Sequence, residues 1–391
     1  MSAGYQRHSK IPQRSSSTTE YVQFPDLPQR SFARRFRSSL CRWFVRHARD
    51  FPWRRTRDPY AIWVSEVMLQ QTQAATVVPY FVRFLRSFPD VQSLARASVE
   101  EVLHLWQGLG YYRRALLLHN AAQQLVRDHS SQFPRDPAQW QELPGIGRYT
   151  AHAILSQAFD LRLPIIEANS ARVYARIFAC TRPLSDRNVQ KWLWRVAEEL
   201  LPARSPGLFN QAIMELGATI CLPRQPLCLR CPVAAMCLAH RLNRVRDFPV
   251  PPSLRHFRYV DELVVLIRRG DRWLVLQRAS QANRWPLLWE FPHAPTHPGE
   301  SSHQAAIRIA RELTGLRVTP SHCLGAVRFA VTQFRFRMEA WLAIADSSST
   351  TVKLTPTHQS ARWCNSALLP RFTWSSPQRK LLALLNATSP E

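Results

Sequence analysis

Along the first two thirds of the chain, apolar residues recur at three- and four-residue spacing, the period of a helix that buries one face. Phe32, Phe36, Leu40, Trp43, Phe44 and His47 form the first such run. It ends at Phe51-Pro52-Trp53, because proline cannot continue a helix. Asp58-Pro59 opens a second helix, with proline in the tolerated first turn, and this one carries Ile62, Glu66, Leu69 and Gln70. The same period predicts helices over 77–88, 99–105, 113–129, 137–143, 150–159, 170–179, 188–200 and 207–221. Pro or Gly marks most of the short connections. No period-two alternation competes, and no repeat of fixed length is present. Residues 31–240 therefore read as one all-α unit.

Beyond residue 240 the pattern changes. Arg244, Arg246, Pro249, Pro251, Pro252 and Arg255 make residues 241–257 a stiff basic linker. Then the period shifts toward two. Stretches 262–269 and 272–278 flank Gly270-Asp271, a hairpin signal. A helix is expected over 302–313, capped by Ser301 or Ser302. Phe334, Phe336 and Met338 alternate with Arg335, Arg337 and Glu339, as in a half-buried strand. A closing helix covers 377–385, which makes 258–385 an α+β unit.

Charge adds a partner to this two-unit picture. The 391 residues carry 52 Lys+Arg against 27 Asp+Glu, a formal charge of +25. An excess of that size, mostly arginine, points to a polyanion, most simply nucleic acid. No apolar run is long enough to span a bilayer, so no membrane partner is expected. Residues 1–30 are Ser- and Arg-rich and lack a secretory core, so they read as a disordered basic arm; an organelle transit peptide is the alternative.

Two stretches carry candidate chemistry. In 143–173 a Gly-rich turn, Pro144-Gly145-Ile146-Gly147, precedes a helix, and Glu167 and Asn169 stand just before another. Glycines at such a turn let backbone N–H groups approach a phosphate, and the helix dipole adds to that. Four of the eight cysteines, Cys221, Cys228, Cys231 and Cys237, crowd into C-x6-C-x2-C-x5-C. That spacing suits ligation in a reducing compartment, either of Zn(II) or of an iron–sulfur cluster.

Together these features resemble the helix-hairpin-helix DNA glycosylase superfamily, and within it the adenine DNA glycosylases, the MutY family. The likeness runs over roughly 31–385. It is carried by FPWRRTRDPYAIWVSEVMLQQTQAATVVPYF (51–81), by LHLWQGLGYYRRALLLHNAAQQL (103–125), by FNQAIMELGATIC (209–221) leading into the cysteine loop, and by WEFP (289–292). The resemblance implies an all-α helix-hairpin-helix glycosylase domain with one [4Fe–4S] cluster in loop 221–237, followed by a Nudix-like α+β domain that reads the base opposite adenine. A monomer is expected, and, if the chain is bacterial, a cytoplasmic, nucleoid-associated one. Its partner would be double-stranded DNA containing adenine opposite 8-oxoguanine or guanine.

Hydrolysis of an N-glycosidic bond needs an acid for the leaving base, a carboxylate for the oxocarbenium-like transition state, and a base flipped from the stack. By resemblance Glu66 is the general acid. An apolar setting would keep it protonated at neutral pH. Glu167 would stabilise the transition state with Asn169 orienting it, although Glu167-Ala168-Asn169 stands where the family has Asp-Gly-Asn. The longer side chain would displace the carboxylate, and a positive φ at Ala168 would be strained. Tyr149 occupies the position where bifunctional lyases carry lysine, so the enzyme would be monofunctional. Gln71 and Tyr111 match residues that wedge into the stack. Gly145, Gly147, Arg148, Arg54, Arg113 and Arg114 are expected near phosphates, and His152 is expected to fill space or touch a phosphate. Thr332 and Gln333, with Val331, replace the family's Phe-Ser-His probe of 8-oxoguanine. The helix 302–313 carries only Glu312, too few carboxylates for Nudix hydrolysis. The rival readings are a glycosylase of shifted base specificity, a mismatch-binding protein with weakened catalysis, and an AP lyase.

Overall fold

The computed structural model describes residues 25–251, 257–346 and 351–388. Residues 1–24 of the expected arm and 252–256 of the expected linker lie outside that range. The N-terminal unit is helical: α1 (Arg30–His47), α2 (Pro59–Leu69), α3 (Ala74–Ser87), α4 (Val91–Arg96), α5 (Val99–Trp106), α6 (Arg113–His129), α7 (Pro137–Gln141), α8 (Arg148–Phe159), α9 (Ala168–Ile177), α10 (Arg187–Leu200), α11 (Pro206–Thr219) and α12 (Leu238–Arg241). No helix among the described residues is long and apolar enough to cross a membrane.

Asp58 starts α2 by accepting from the backbone N–H groups of Tyr60 and Ala61 (3.0 and 3.2 Å), which satisfies donors that a helix start leaves open. Every residue from Tyr60 to Met68 is buried. So α2 is apolar all round, a central helix rather than a one-faced surface helix. It belongs to an apolar cluster that runs from Trp53 to Ala158 and takes in Trp63, Trp106 and Trp140. A second cluster joins α1, α9, α10 and α11 through Phe36, Tyr174, Leu193 and Phe209. Helix α8 serves both, with Ile154 and Leu155 in the first and Ala153 in the second. The seam between the clusters lies along α8.

The stretch expected as a free linker is packed where it is described. Phe248 is buried in the second cluster, and its carbonyl accepts from Arg176 Nε at 2.8 Å. Burial of that aromatic ring, a large apolar surface, keeps this end of the stretch with the helical unit.

The C-terminal unit contains β1 (Arg258–Arg269), β2 (Arg272–Arg278), β3 (Trp289–Glu290), β4 (His293–Pro295), α13 (Ser302–Thr314), β5 (Val318–Val331), β6 (Phe334–Ala345), β7 (His358–Asn365) and α14 (Ser376–Thr388). The sheet order is β3-β2-β1-β6-β5, with β4 on β1 and β7 on β2. Gly270, at φ +58°, turns β1 into β2, as its place in the sequence predicts. Strand β1 runs parallel to β6, pairing Arg258 with Phe334 through to Arg268 with Ile344. A Ser301–Gln304 capping box opens α13, and Gly315, left-handed at φ +70°, closes it. Its Glu312 is ion-paired with Arg308 at 3.0 Å.

The two units touch. Leu288, from the loop before β3, is buried in the first helical cluster. Tyr112 Oη donates to the Trp374 carbonyl at 2.9 Å, and the Trp374 N–H donates to Gln107 Oε1 at 3.3 Å.

On strands β1, β3 and β4, His293 lies between two buried carboxylates, with Nδ1 3.0 Å from Glu262 and Nε2 3.2 Å from Glu290. Arg284 and Arg278 pair with the same two glutamates, and His358 Nε2 donates to Glu290 at 2.9 Å. Burial disfavours the His293 imidazolium, but Glu290 and Glu262 outweigh it and push the group up to about 9. The folded-state value is raised above the ordinary one. Its stability contribution is therefore full below the ordinary histidine range and is lost as pH rises through about 9. His293→Leu should strip the central cation from this buried cluster and cost about 3–5 kcal/mol in urea unfolding. The variant should also lack the alkaline decline in stability that the wild type shows.

Candidate active site

Helix α7, the turn at 144–147 and helix α8 form the hairpin. Gly145 is left-handed at φ +79°, and a Cβ there would lie 2.8 Å from Leu117 Cβ, so packing as well as turn geometry requires glycine. Gly147 is the N-cap of α8 and faces open space. Its amide region and the exposed Arg148 form the accessible lip of the hairpin. The Arg148 guanidinium lies over the Trp194 ring at 3.8 Å.

In the first turn of α8, Tyr149 faces inward. Its hydroxyl donates to Glu66 Oε2 at 2.9 Å. Two turns further on, Gln157 Nε2 donates to Glu66 Oε1 at 2.8 Å. The hairpin helix thus grips both oxygens of a carboxyl that α2 carries into the core. Burial is the largest influence on Glu66 and raises its pKa. The Gln157 and Tyr149 hydrogen bonds and Arg54 oppose that rise, and the charge of Glu167 adds to it. Burial, Glu66 and Glu167 likewise hold the Tyr149 phenol well above its usual value, so it stays neutral.

Glu167 caps α9. Its two oxygens accept from the backbone N–H groups of Asn169 and Ser170, both at 2.7 Å, and its own N–H donates to Ser170 Oγ at 2.9 Å. Burial raises this carboxyl too; the two cap amides and Arg172 pull against it. Two expectations change here. Ala168 is the first residue of α9 and is not left-handed, so no strain arises where the sequence resemblance had glycine. The Asn169 backbone, not its side chain, orients Glu167; the side-chain oxygen accepts from Arg172 Nη2 at 2.8 Å.

Helix α11 approaches this cap closely. A Cβ on Gly217 would fall 2.6 Å from Asn169 Cβ and 3.0 Å from its carbonyl oxygen. Gly217→Ala must therefore push the start of α9, and Glu167 with it. The expected results are a loss of about 1–3 kcal/mol in stability and, for a shift near 1 Å, a rate lower by on the order of 10²-fold. Melting curves and single-turnover kinetics on the same variant would separate the two effects.

Sequence reasoning missed several participants. Glu215 on α11 is buried and ion-paired to Arg49 (2.6 Å) and Arg54 (2.8 Å). Burial works against its charge, and the two guanidiniums outweigh that and hold the carboxyl below its usual range. Arg54 is therefore committed to Glu215 and not free for a phosphate. Arg49, Arg54, Gln157 and Gln211 line one cleft, which brings solvent to the residue that grips Glu66. Arg114, expected at a phosphate, is buried against backbone carbonyls. His152 is buried too; its Nδ1 donates to the Pro164 carbonyl at 2.7 Å and its ring meets Trp194 edge-on, so it fills space and touches no phosphate.

Gln71 and Tyr111 are both exposed and both left-handed, at φ 58° and 49°. Non-glycine residues in that region are uncommon and cluster at functional sites. Thr332 and Gln333 form the exposed tip of the β5–β6 hairpin, far along the chain from the carboxylates, with Thr332 left-handed at φ 50°.

All four clustered cysteines are free thiols and line one pocket together with Val173, Ile177, Leu216 and Arg176. Arg176 is buried; its Nη1 lies 3.2 Å from Cys221 Sγ, and its guanidinium also donates to the Leu222 and Pro223 carbonyls. Burial pushes the thiols of Cys231 and Cys237 up to about 12 and about 11. Among the described residues no group of three or more His, Cys, Asp or Glu is placed to hold a single metal ion. A soft four-sulfur donor set that is not arranged around a single ion, with a buried cation beside one sulfur, fits a polynuclear cluster better than a lone ion.

Comparison with known proteins agrees with this arrangement. Residues 64–199 match the family model of the HhH-GPD superfamily base excision DNA repair proteins, and residues 263–384 match that of the NUDIX domain. Over 381 residues the chain is 33% identical to an adenine DNA glycosylase of Rattus norvegicus, covering 84% of this chain and 73% of the rat protein. An adenine DNA glycosylase of Buchnera aphidicola subsp. Acyrthosiphon pisum is 32% identical over 259 residues, 66% of this chain and 73% of that protein. A Homo sapiens adenine DNA glycosylase is 43% identical over 248 residues, and there the chain spans 45% of the human protein.

Proposed function

The chain belongs to the adenine DNA glycosylases of the HhH-GPD base-excision repair superfamily, and we propose that it flips out and hydrolytically removes adenine lying opposite 8-oxoguanine or guanine. It does so as a single chain on double-stranded DNA. The observation that carries this reading is the buried Glu66, held by Tyr149 and Gln157 and pushed toward its protonated form, with a second carboxylate capping the next helix. Glu66 gives its proton to the departing adenine as the bond to the sugar C1′ breaks. The Glu167 carboxylate faces the positive charge that develops on the sugar. Water then adds to C1′ and returns a proton to Glu66. Tyr149, a neutral phenol, orients Glu66 and cannot form a Schiff base, so no lyase step follows.

Gln71 and Tyr111 fill the space left in the stack by the flipped base, which offsets an unstacking cost of about a few kcal/mol. The lip at Gly145, Gly147 and Arg148 takes the backbone phosphates. Thr332 and Gln333 read the opposite base; a hydroxyl and an amide can together donate and accept along a base edge. Cys221, Cys228, Cys231 and Cys237 would hold one [4Fe–4S] cluster, which when bound would cross-link the ends of loop 221–237. Cys228→Ser should yield protein with less iron and weaker absorbance near roughly 400 nm, a property of the cluster class; unchanged iron content would remove Cys228 from the ligand set.

The reading is tested by single-turnover assays on duplexes with adenine opposite 8-oxoguanine, guanine and thymine. Abasic product from the first two and not from the third is expected. Tight mismatch binding without abasic product would make this a binding protein, and strand nicking without alkali would make it a lyase.

A further inference from the structure

Arg114, at the start of α6, is buried and has no carboxylate within ion-pair distance among the described residues. A guanidinium in such a place must be satisfied by other acceptors. On one side Nη1 donates to the carbonyls of Val67 (2.8 Å), Met68 (2.7 Å) and Gln70 (2.5 Å), the last turn of the helix that carries Glu66. On the other side Nη2 donates to Thr72 Oγ1 and to the Gly110 carbonyl, both at 3.1 Å. Its carbon centre also lies 5.5 Å from the ring centres of Tyr111 and Trp106. One planar group thus ties residues 70 and 72, which flank Gln71, to residue 110, which precedes Tyr111.

The loop on the Tyr111 side is braced from several directions. Gly108 is left-handed at φ +100°, and a Cβ there would lie 2.4 Å from Tyr80 Oη. Trp106 Nε1 donates to the Gly110 carbonyl at 3.1 Å, and Tyr112 is tied to Trp374 of the C-terminal unit. Among the described residues the loop at Gln71 has no hydrogen bond to the C-terminal unit, so the link through Arg114 is what relates the two exposed side chains to each other.

We propose that Arg114 is a positioning residue that sets the separation of Gln71 and Tyr111 and holds both in register with the end of the Glu66 helix, so that base flipping depends on its two-sided guanidinium. This rests on reading Gln71 and Tyr111 as the inserted side chains. Lysine keeps the charge but is a point donor and cannot bridge both sides.

The full-length protein is tested as Arg114→Lys with two readouts. The first is the fluorescence gain of 2-aminopurine placed at the adenine position opposite guanine, which reports unstacking. The second is the single-turnover rate on paired adenine and on adenine inside a small unpaired bubble, where no base has to be levered out. Arg114→Lys is expected to cut the unstacking signal and the paired-adenine rate by about tenfold or more, and to leave the bubble rate within about threefold of wild type. Equal losses on both substrates, or an unchanged unstacking signal, would overturn the proposal. Should Arg114→Lys melt well below wild type, Thr72→Val removes only one of the five bonds. It should show the same paired-against-bubble split in smaller measure, and no split would overturn the proposal. A Gln71→Ala/Tyr111→Ala protein that unstacks 2-aminopurine as wild type does would instead refute the wedge reading itself.

Discussion

Glu66→Gln is expected to lower adenine release by on the order of 10²–10⁴-fold in single-turnover assays while leaving mismatch binding intact. Glutamine has the same shape and can keep both contacts. Its oxygen accepts from Gln157, and its amide can donate to the Tyr149 oxygen, whose own proton then turns to Met214 Sδ, 3.4 Å away. Only the transferable proton is lost. Stability should move the other way. The folded-state pKa of Glu66 is raised, chiefly by burial, so its contribution is favourable below the ordinary carboxylate range and is lost as pH rises through the raised value. At neutral pH the variant no longer carries that penalty, and its melting temperature should equal or exceed that of wild type. In wild type the rate should fall as pH rises through the raised Glu66 value and the group loses its proton, and this limb should be missing from whatever residual activity Glu66→Gln retains. A variant that is inactive because it is unfolded would fail the melting test.

Glu167→Gln should lower the rate by on the order of 10²–10³-fold, through loss of the charge that faces the developing cation. Here fold and chemistry share one side chain. The two oxygens of Glu167 each take a cap amide of α9, and a glutamine has one acceptor oxygen for two donors. A cost of about 0.5–2 kcal/mol is expected in urea unfolding. A rate loss without any stability loss would mean that the capping geometry is not what fixes this group. Burial raises both carboxyls above the ordinary range, and the charge of Glu167 raises Glu66 further, so the titration of Glu66 is linked to that of Glu167. Activity requires Glu66 protonated and Glu167 ionised, which makes the pH–rate profile bell-shaped. In Glu167→Gln the acidic limb should vanish. Glu167→Asp should retain the cap, since aspartate is a favoured N-cap residue, and release adenine at least as fast as wild type.

Much of this site could be read from local pattern. The apolar period around Glu66, the PGIG turn ahead of Tyr149, and the close spacing of four cysteines are all properties of short segments. Gly270 between two period-two runs likewise marks its hairpin. What was misread or missed depends on residues far apart. Gln157 reaches Glu66 across 91 positions, and Glu215 reaches Arg49 and Arg54 across 166 and 161. Glutamine and arginine are common on helix surfaces, so neither is informative until the fold shows which way it points. Strand β1 pairs with β6 in parallel, some 76 residues later in the register from Arg258 to Phe334, and no hairpin signal can announce that.

By itself, then, the amino-acid order marked most of the helices, the β1–β2 hairpin, strand β6 and the residue types that could do the chemistry; α4, β5 and β7 carried no such mark. The marks follow from periodicity, caps and turns acting over a few residues. Tertiary structure alone decided the state and the aim of those groups. Glu66 becomes an acid because α2 is buried on every side and α8 supplies two donors to it. Arg54 and Arg114, identical in type to arginines free on the surface, are removed from the DNA-facing set, the first because it is ion-paired to the buried Glu215 and the second because a buried guanidinium must find acceptors, here backbone carbonyls. The hairpin turn and its following helix identify the site in one dimension; burial and long-range hydrogen bonds give it its chemistry in three.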